Sequence, residues 1–139
     1  MKILLVGATG TIGSAIDTAL SHRDHHVVRV GHSSGDHQVE LADKASIEAL
    51  YGEVGQVDAV VCAAGIAEFG TLQALDDEGY ETSMANKLMG QVNLVRAGLG
   101  YVAEGGSFTL TSGTLSQEPQ QGTVAVAMVG GALESFGKA

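Results

Sequence analysis

The sequence predicts a doubly wound α/β sheet of parallel strands, and three observations carry that expectation. An apolar run, Lys2 to Val6, leads directly into Gly7-Ala8-Thr9-Gly10-Thr11-Ile12-Gly13, where glycines recur every third residue. Strand-like runs then alternate with segments whose apolar residues repeat at helical spacing, the pattern of parallel strands joined by right-handed crossovers. One run, Val57 to Cys62, is almost wholly apolar, as a strand covered on both faces must be.

The glycine run reads as a strand-to-helix bend built around an anion. Gly7 lets the chain turn sharply, Gly10 lets a diphosphate approach the backbone, and Gly13 lets helix and strand pack closely. Free amides at the first helical turn, over Thr9 to Gly13, then face the ligand. Such a ligand belongs across the carboxyl ends of the strands.

The remaining elements follow in order. Ile12, Ala15, Ile16, Ala19 and Leu20 give the first helix one apolar face, and Ser21-His22-Arg23-Asp24 closes it. Val27 to Val30 is the second strand, Gly31 to Asp36 its exit loop, and Gln38 to Leu41 a short third strand. Asp43 caps a helix carrying Ile47, Leu50, Tyr51 and Val54 on one face and stopping at Gly55. Val57 to Cys62 runs into Ala63-Ala64-Gly65, and an acidic loop with Asp76-Asp77-Glu78 starts the next helix. A long helix spans Tyr80 towards Leu99 with Leu88, Val92, Val95 and Leu99 as its stripe. Ser107 to Thr111 is a further strand ending at Ser112-Gly113, and Thr123 to Phe136 a last helix weakened by Gly130-Gly131.

At 139 residues the chain reads as a single domain, residues 1–139, with no internal repeat. Twenty glycines with only one proline exclude a low-complexity linker. A formal charge of -9 argues against nucleic acid or an anionic membrane as partner, so the anion site must be made locally by backbone dipoles. The lone Cys62 fits a reducing compartment, and with no apolar run of membrane-spanning length the expected location is cytoplasmic. His22, His25 and His26 read as surface histidines and no metal site is expected.

In this arrangement the residues resemble the short-chain dehydrogenase/reductase family over essentially the whole chain. The resemblance rests on Gly7-x-x-Gly10-x-x-Gly13, on Cys62-Ala63-Ala64-Gly65 in place of the family's Asn-Asn-Ala-Gly, and on Thr111-Ser112-Gly113 after the later strand. It implies a Rossmann-like fold, a nicotinamide dinucleotide cofactor, and hydride transfer on a small carbonyl or alcohol substrate. It further implies Glu40 and Leu41 beside the adenine, Ala63, Ala64 and Gly65 close to the adenosine ribose, and a homo-oligomer formed through the two long helices. The same helix surfaces could equally bury an intramolecular contact.

The cofactor choice has a physical basis. An NAD site places an acid about 20 residues past the glycines, on the ribose 2′-hydroxyl. Here His32, Ser33 and Ser34 stand at that place. All three can donate to a 2′-phosphate, so NADP is expected over NAD, with Asp36 the residue that could swing back to the ribose. A plain polar turn is the competing reading.

The implied catalytic set is incomplete. Ser112 matches the family serine that polarises the substrate oxygen, against a plain strand-end serine. The family's tyrosine and lysine would fall near Ala125 and Val129, and neither is present. Lys87 stands where the family has an asparagine. Two readings stay open for it: a solvated helix lysine, or a cation in the cleft that assists Ser112. Cys62 reads as a small core residue. The resemblance also implies a further strand, a turn beside the nicotinamide and a lid past Ala139, which makes the expected fold C-terminally incomplete. The alternative function is a non-catalytic NADP-binding sensor or regulatory module.

Overall fold

The computed structural model describes residues 1–139. Five parallel strands form one sheet: β1 (Lys2–Val6), β2 (His26–Gly31), β3 (His37–Gln38), β4 (Val57–Cys62) and β5 (Val102–Thr109), in the order β3-β2-β1-β4-β5. The helices are α1 (Thr11–Ser21), α2 (Lys44–Val54), α3 (Asp77–Ser83), α4 (Met89–Gly98) and α5 (Val124–Lys138). A π turn, Met84–Leu88, joins α3 to α4, and a 3-10 turn, Thr114–Ser116, follows β5. The strand order reverses between β1 and β4, so the ends of those two strands form the switch point where ligands bind in such sheets.

Alternation along β1 divides the core. Leu4 and Val6 join Val28, Val30, Val60 and Cys62 under Ile47, Leu50, Tyr51 and Val54 of α2 and Leu94 of α4. Leu5, Ala8 and Val27 form the smaller cluster on the opposite face, against Ile16 and Leu20 of α1. Tyr51 is fully buried, stacks on Tyr101 at 5.3 Å between ring centroids, and donates its hydroxyl to the Leu94 carbonyl at 2.8 Å. That bond satisfies the one polar atom α2 brings into the core. No helix is long and apolar enough to cross a membrane.

Several expected elements differ. The third strand is His37–Gln38 rather than Gln38 to Leu41, because the Glu40 amide is taken by the Ser46 hydroxyl at 2.9 Å instead of a strand partner. In α1, Gly13, Ile16 and Leu20 turn inward, while Ile12, Ala15 and Ala19 are exposed. The close approach at Gly13 sets which side of the helix meets the sheet. β5 starts at Val102, five residues before the expected Ser107, with its register to β4 shifted between Val57 and Ala59.

The long helix is not continuous, and its inward stripe is not Leu88, Val92, Val95 and Leu99. The inward residues are Gly79, Ser83, Gly90, Gln91, Leu94 and Gly98, and Leu99 is 69% exposed. Space decides this. A methyl on Gly98 would stand 2.5 Å from the Tyr51 hydroxyl, so only the smallest residue fits where α4 meets α2.

Candidate functional site

The site begins where β1 and β4 end. The Ala63 amide donates to the Val6 carbonyl and the Gly7 amide to the Val30 carbonyl, both at 2.8 Å. Gly7 has a φ of 86°, in the left-handed region, and a methyl there would lie 2.8 Å from the Ala63 carbonyl. Glycine is therefore required on both conformational and steric grounds. The chain then enters α1 through Gly10, an extended N-cap.

Helices α2 and α3 show what α1 lacks. Asp43 accepts from the Ala45 amide and Asp76 from the Gly79 amide, each at 2.9 Å, so α2 and α3 each fill an opening amide with their own carboxylate. α1 has no side-chain cap and no acidic residue in its first turn. Its opening amides, those of Thr11, Ile12 and Gly13, and the positive end of its dipole are left to an external anion. Thr9 completes the turn, with its hydroxyl against Gly31. A diphosphate fits this cradle, because Gly10 carries no side chain to block it.

Beside the turn lies a recess of about 130 Å³ lined by Gly7, Gly31, His32, Glu40, Leu41, Ala64 and Gly65, with Val39, Ile66 and Asn86 among its other walls. Val39 and Leu41 are buried and apolar; His32 is exposed. The Glu40 carboxylate accepts from the Ala42 amide at 3.1 Å and from His32 Nε2 at 2.9 Å, and those donors hold its carboxyl below the usual range. Ser33 and Ser34 are exposed on the loop and do not line the recess, and Ala63 stacks behind Gly7. Asp36 does not swing towards the recess. It is tied to the back of β2, accepting from the Arg29 amide at 2.9 Å while its own amide donates to the Arg29 carbonyl.

Gly65 also lines a second cleft, of about 280 Å³, with Lys87, Ser112, Ser116, Val126 and Gly130. The structure therefore brings Lys87 and Ser112 together. The lysine stem lies across Gly65, where φ is 135° and a methyl would stand 2.7 Å from Lys87 Cδ. Lys87 is half-buried and takes part in no ion pair. Burial lowers its amine from the ordinary lysine value, opposed by the nearby Cys62 thiol. Cys62 is itself fully buried, and burial pushes its thiol up to about 11, which keeps it protonated at neutral pH.

Ser112 has a partner that sequence reasoning missed. Its hydroxyl has two acceptors in reach, Glu134 Oε1 at 2.9 Å and the Gly130 carbonyl at 3.1 Å. The Ser116 hydroxyl donates to the same Glu134 oxygen, and Gln117 Nε2 donates to the other at 3.3 Å. These bonds, led by that from Ser116, lower the Glu134 carboxyl from its ordinary value. Gln91, at 0% exposure, was also missed; its amide bonds the backbone of Thr111 beside Ser112. Ala125 and Val129 are fully buried, so α5 turns an apolar face at the two positions where the resemblance implies a tyrosine and a lysine.

Residues 3–120 match the NAD dependent epimerase/dehydratase family. No curated protein matches the chain. Among solved structures, the chain is similar to the protein lin1944 from Listeria innocua, with 41% identity, a TM-score of 0.95, and coverage of 98% of this chain and 68% of that one. It is similar also to a small-chain dehydrogenase in complex with NADPH, with 25% identity, a TM-score of 0.90, and coverage of 98% and 61%. A short-chain dehydrogenase/reductase from Vibrio parahaemolyticus, at 20% identity and a TM-score of 0.87, shares the fold over 98% of this chain and 67% of its own. The chain thus spans about three fifths to two thirds of the length of these structures.

Proposed function

Because this chain belongs to the NAD dependent epimerase/dehydratase family and is short-chain dehydrogenase/reductase-like, we propose that it is an NADP-dependent oxidoreductase acting on a small carbonyl or alcohol. The observation that carries the proposal is the uncapped start of α1 at the switch point, beside a recess with apolar walls. The amides of Thr11 to Gly13 hold the diphosphate. Val39, Leu41 and Ala64 enclose the adenine, Ala63 to Gly65 pass the ribose, and His32, steadied by Glu40, meets the 2′-phosphate with Ser33 and Ser34. The bound nucleotide supplies or accepts the hydride.

The chain itself positions the substrate and moves its proton. Ser112 orients the substrate oxygen. With its hydrogen turned to Glu134, Ser112 offers lone pairs to the cleft and accepts from an alcohol; rotation of that hydrogen lets it donate to a carbonyl. The Lys87 ammonium stands in the same cleft as the donor to the developing alkoxide, in place of the tyrosine and lysine that Ala125 and Val129 replace. The exposed Met84, Met89 and Met128 on the π turn, α4 and α5 support a homo-oligomer through those helices.

The test is loss of reduced-nicotinamide absorbance with a panel of small aldehydes and ketones. Turnover that Ser112→Ala abolishes supports the oxidoreductase. NADPH binding without turnover on any panel member supports instead a non-catalytic NADP-binding sensor.

A further inference from the structure

We infer that Gln91 is a positioning residue, whose buried side-chain amide holds Lys87 and Ser112 in one cleft by bonding the backbone of both their elements. The inference rests on the function proposed above for those two residues. Gln91 Oε1 accepts from the Thr111 amide at 2.9 Å, and Gln91 Nε2 donates to the Thr111 carbonyl at 3.0 Å and to the Lys87 carbonyl at 3.2 Å. The amide thus pairs with Thr111 at two points, as a neighbouring strand would. It does so just past Thr109, where the pairing of β5 with β4 has ended. Its third bond reaches into the π turn.

The network extends one step further. The Thr111 hydroxyl donates to the Cys62 carbonyl at 2.6 Å, tying the same residue to the end of β4 from which Ala63, Ala64 and Gly65 emerge. Lys87 lies across that Gly65. One buried amide therefore joins the three elements that frame the cleft: the π turn, the β5 exit and, through Thr111, the β4 exit. An unbranched apolar side chain of similar size would fill the space equally well, but would leave the Thr111 amide and carbonyl without partners. A buried amide is costly unless fully bonded, so its presence calls for a task that packing alone does not set.

The amine of Lys87 reports the arrangement without any need for a substrate. From β4 it is faced by the Cys62 thiol; Ser112 and Ser116 border its cleft, and Glu134 lies on the far side of Ser112. In the full chain, labelling of each lysine with trinitrobenzenesulfonate across a pH series, read by peptide mass mapping, gives a reactivity midpoint for Lys87 against the exposed Lys44. The expected wild-type result is a lower midpoint for Lys87. In Gln91→Met and Gln91→Asn, the second an amide too short to span its partners, that midpoint rises by about 0.5 pH unit or more, while Lys44 does not move. A folded variant with the Lys87 midpoint unchanged overturns the inference. Should neither variant fold, amide exchange in the wild type decides: slow exchange at Thr111 supports the bond to Gln91, and exchange as fast as in an open loop refutes it. NADPH titration of the wild type runs alongside. Failure to bind NADPH would sink the proposed function and leave the Lys87 result standing.

Discussion

The α-carbon of Gly13 lies so close beneath the Gly7 carbonyl that a methyl group added to it would stand 1.8 Å from that oxygen. Helix α1 and strand β1 therefore meet through bare backbone, and this contact fixes where the opening amides of α1 point. Gly13→Ala must force the two elements apart, with an expected stability loss of about 1–3 kcal/mol or more. Gly10→Ala separates fold from binding. Its methyl would stand 3.5 Å from the Gly7 oxygen, an ordinary contact, so stability changes by about 1 kcal/mol or less. Its affinity for NADPH nevertheless falls about tenfold or more, because the methyl fills the diphosphate cradle. Urea unfolding and NADPH titration of both variants check the pair of outcomes.

In the proposed function, His32 and Glu40 set the cofactor preference. The carboxylate holds the imidazole at 2.9 Å on the rim of the adenosine recess. His32→Ala is expected to weaken NADPH about tenfold, the worth of one charge-assisted contact, and to leave NADH within about twofold. Parallel titrations with both nucleotides read the ratio. Equal losses for NADPH and NADH in His32→Ala would contradict the assignment.

Much of this arrangement is written locally. Gly7, Gly10 and Gly13 act within seven residues of each other, Asp43 caps the helix it begins, and Val57 to Cys62 shows its burial by composition, so each is legible in the sequence. The long helix is not, because its π turn leaves no compositional mark and its inward positions went to Gly90, Gln91 and Gly98 instead of to leucine and valine. Steric fit against Leu41 and Tyr51 chose the two glycines. Glu134 and Gln91 were hidden for a related reason. Glu134 finds its partners 17 to 22 residues away, and Gln91 pairs with Thr111 20 residues away, so only the folded chain reveals that these polar side chains have found partners.

Lys87 carries a pH signature in stability. Burial holds its amine below the ordinary lysine value, so the folded chain binds that proton less tightly than the unfolded chain. The buried charge destabilises the fold fully below the depressed folded value, and its cost fades as pH rises through that value to the unfolded one near ~10.4. Lys87→Met is therefore expected to be more stable than wild type at neutral pH, with the gap narrowing at alkaline pH. Urea unfolding at both pH values measures it. A variant less stable than wild type at neutral pH would mean that Lys87 has a compensating partner.

Tyr51 tests the core apart from the site. Tyr51→Phe keeps the stacking on Tyr101 but leaves the Leu94 carbonyl without its buried donor. The expected loss is about 1–2 kcal/mol of stability, with NADPH affinity unchanged. Equilibrium denaturation and a nucleotide titration together check both halves.

Calorimetric titration of the chain with NADPH, with NADH in parallel, tests the central claim most directly. Saturable one-to-one binding of NADPH, tighter than that of NADH and weakened by Gly10→Ala, is the expected result. No binding of either nucleotide at millimolar concentration, or binding indifferent to Gly10→Ala, would contradict the claim that the bare amino end of α1 holds the diphosphate.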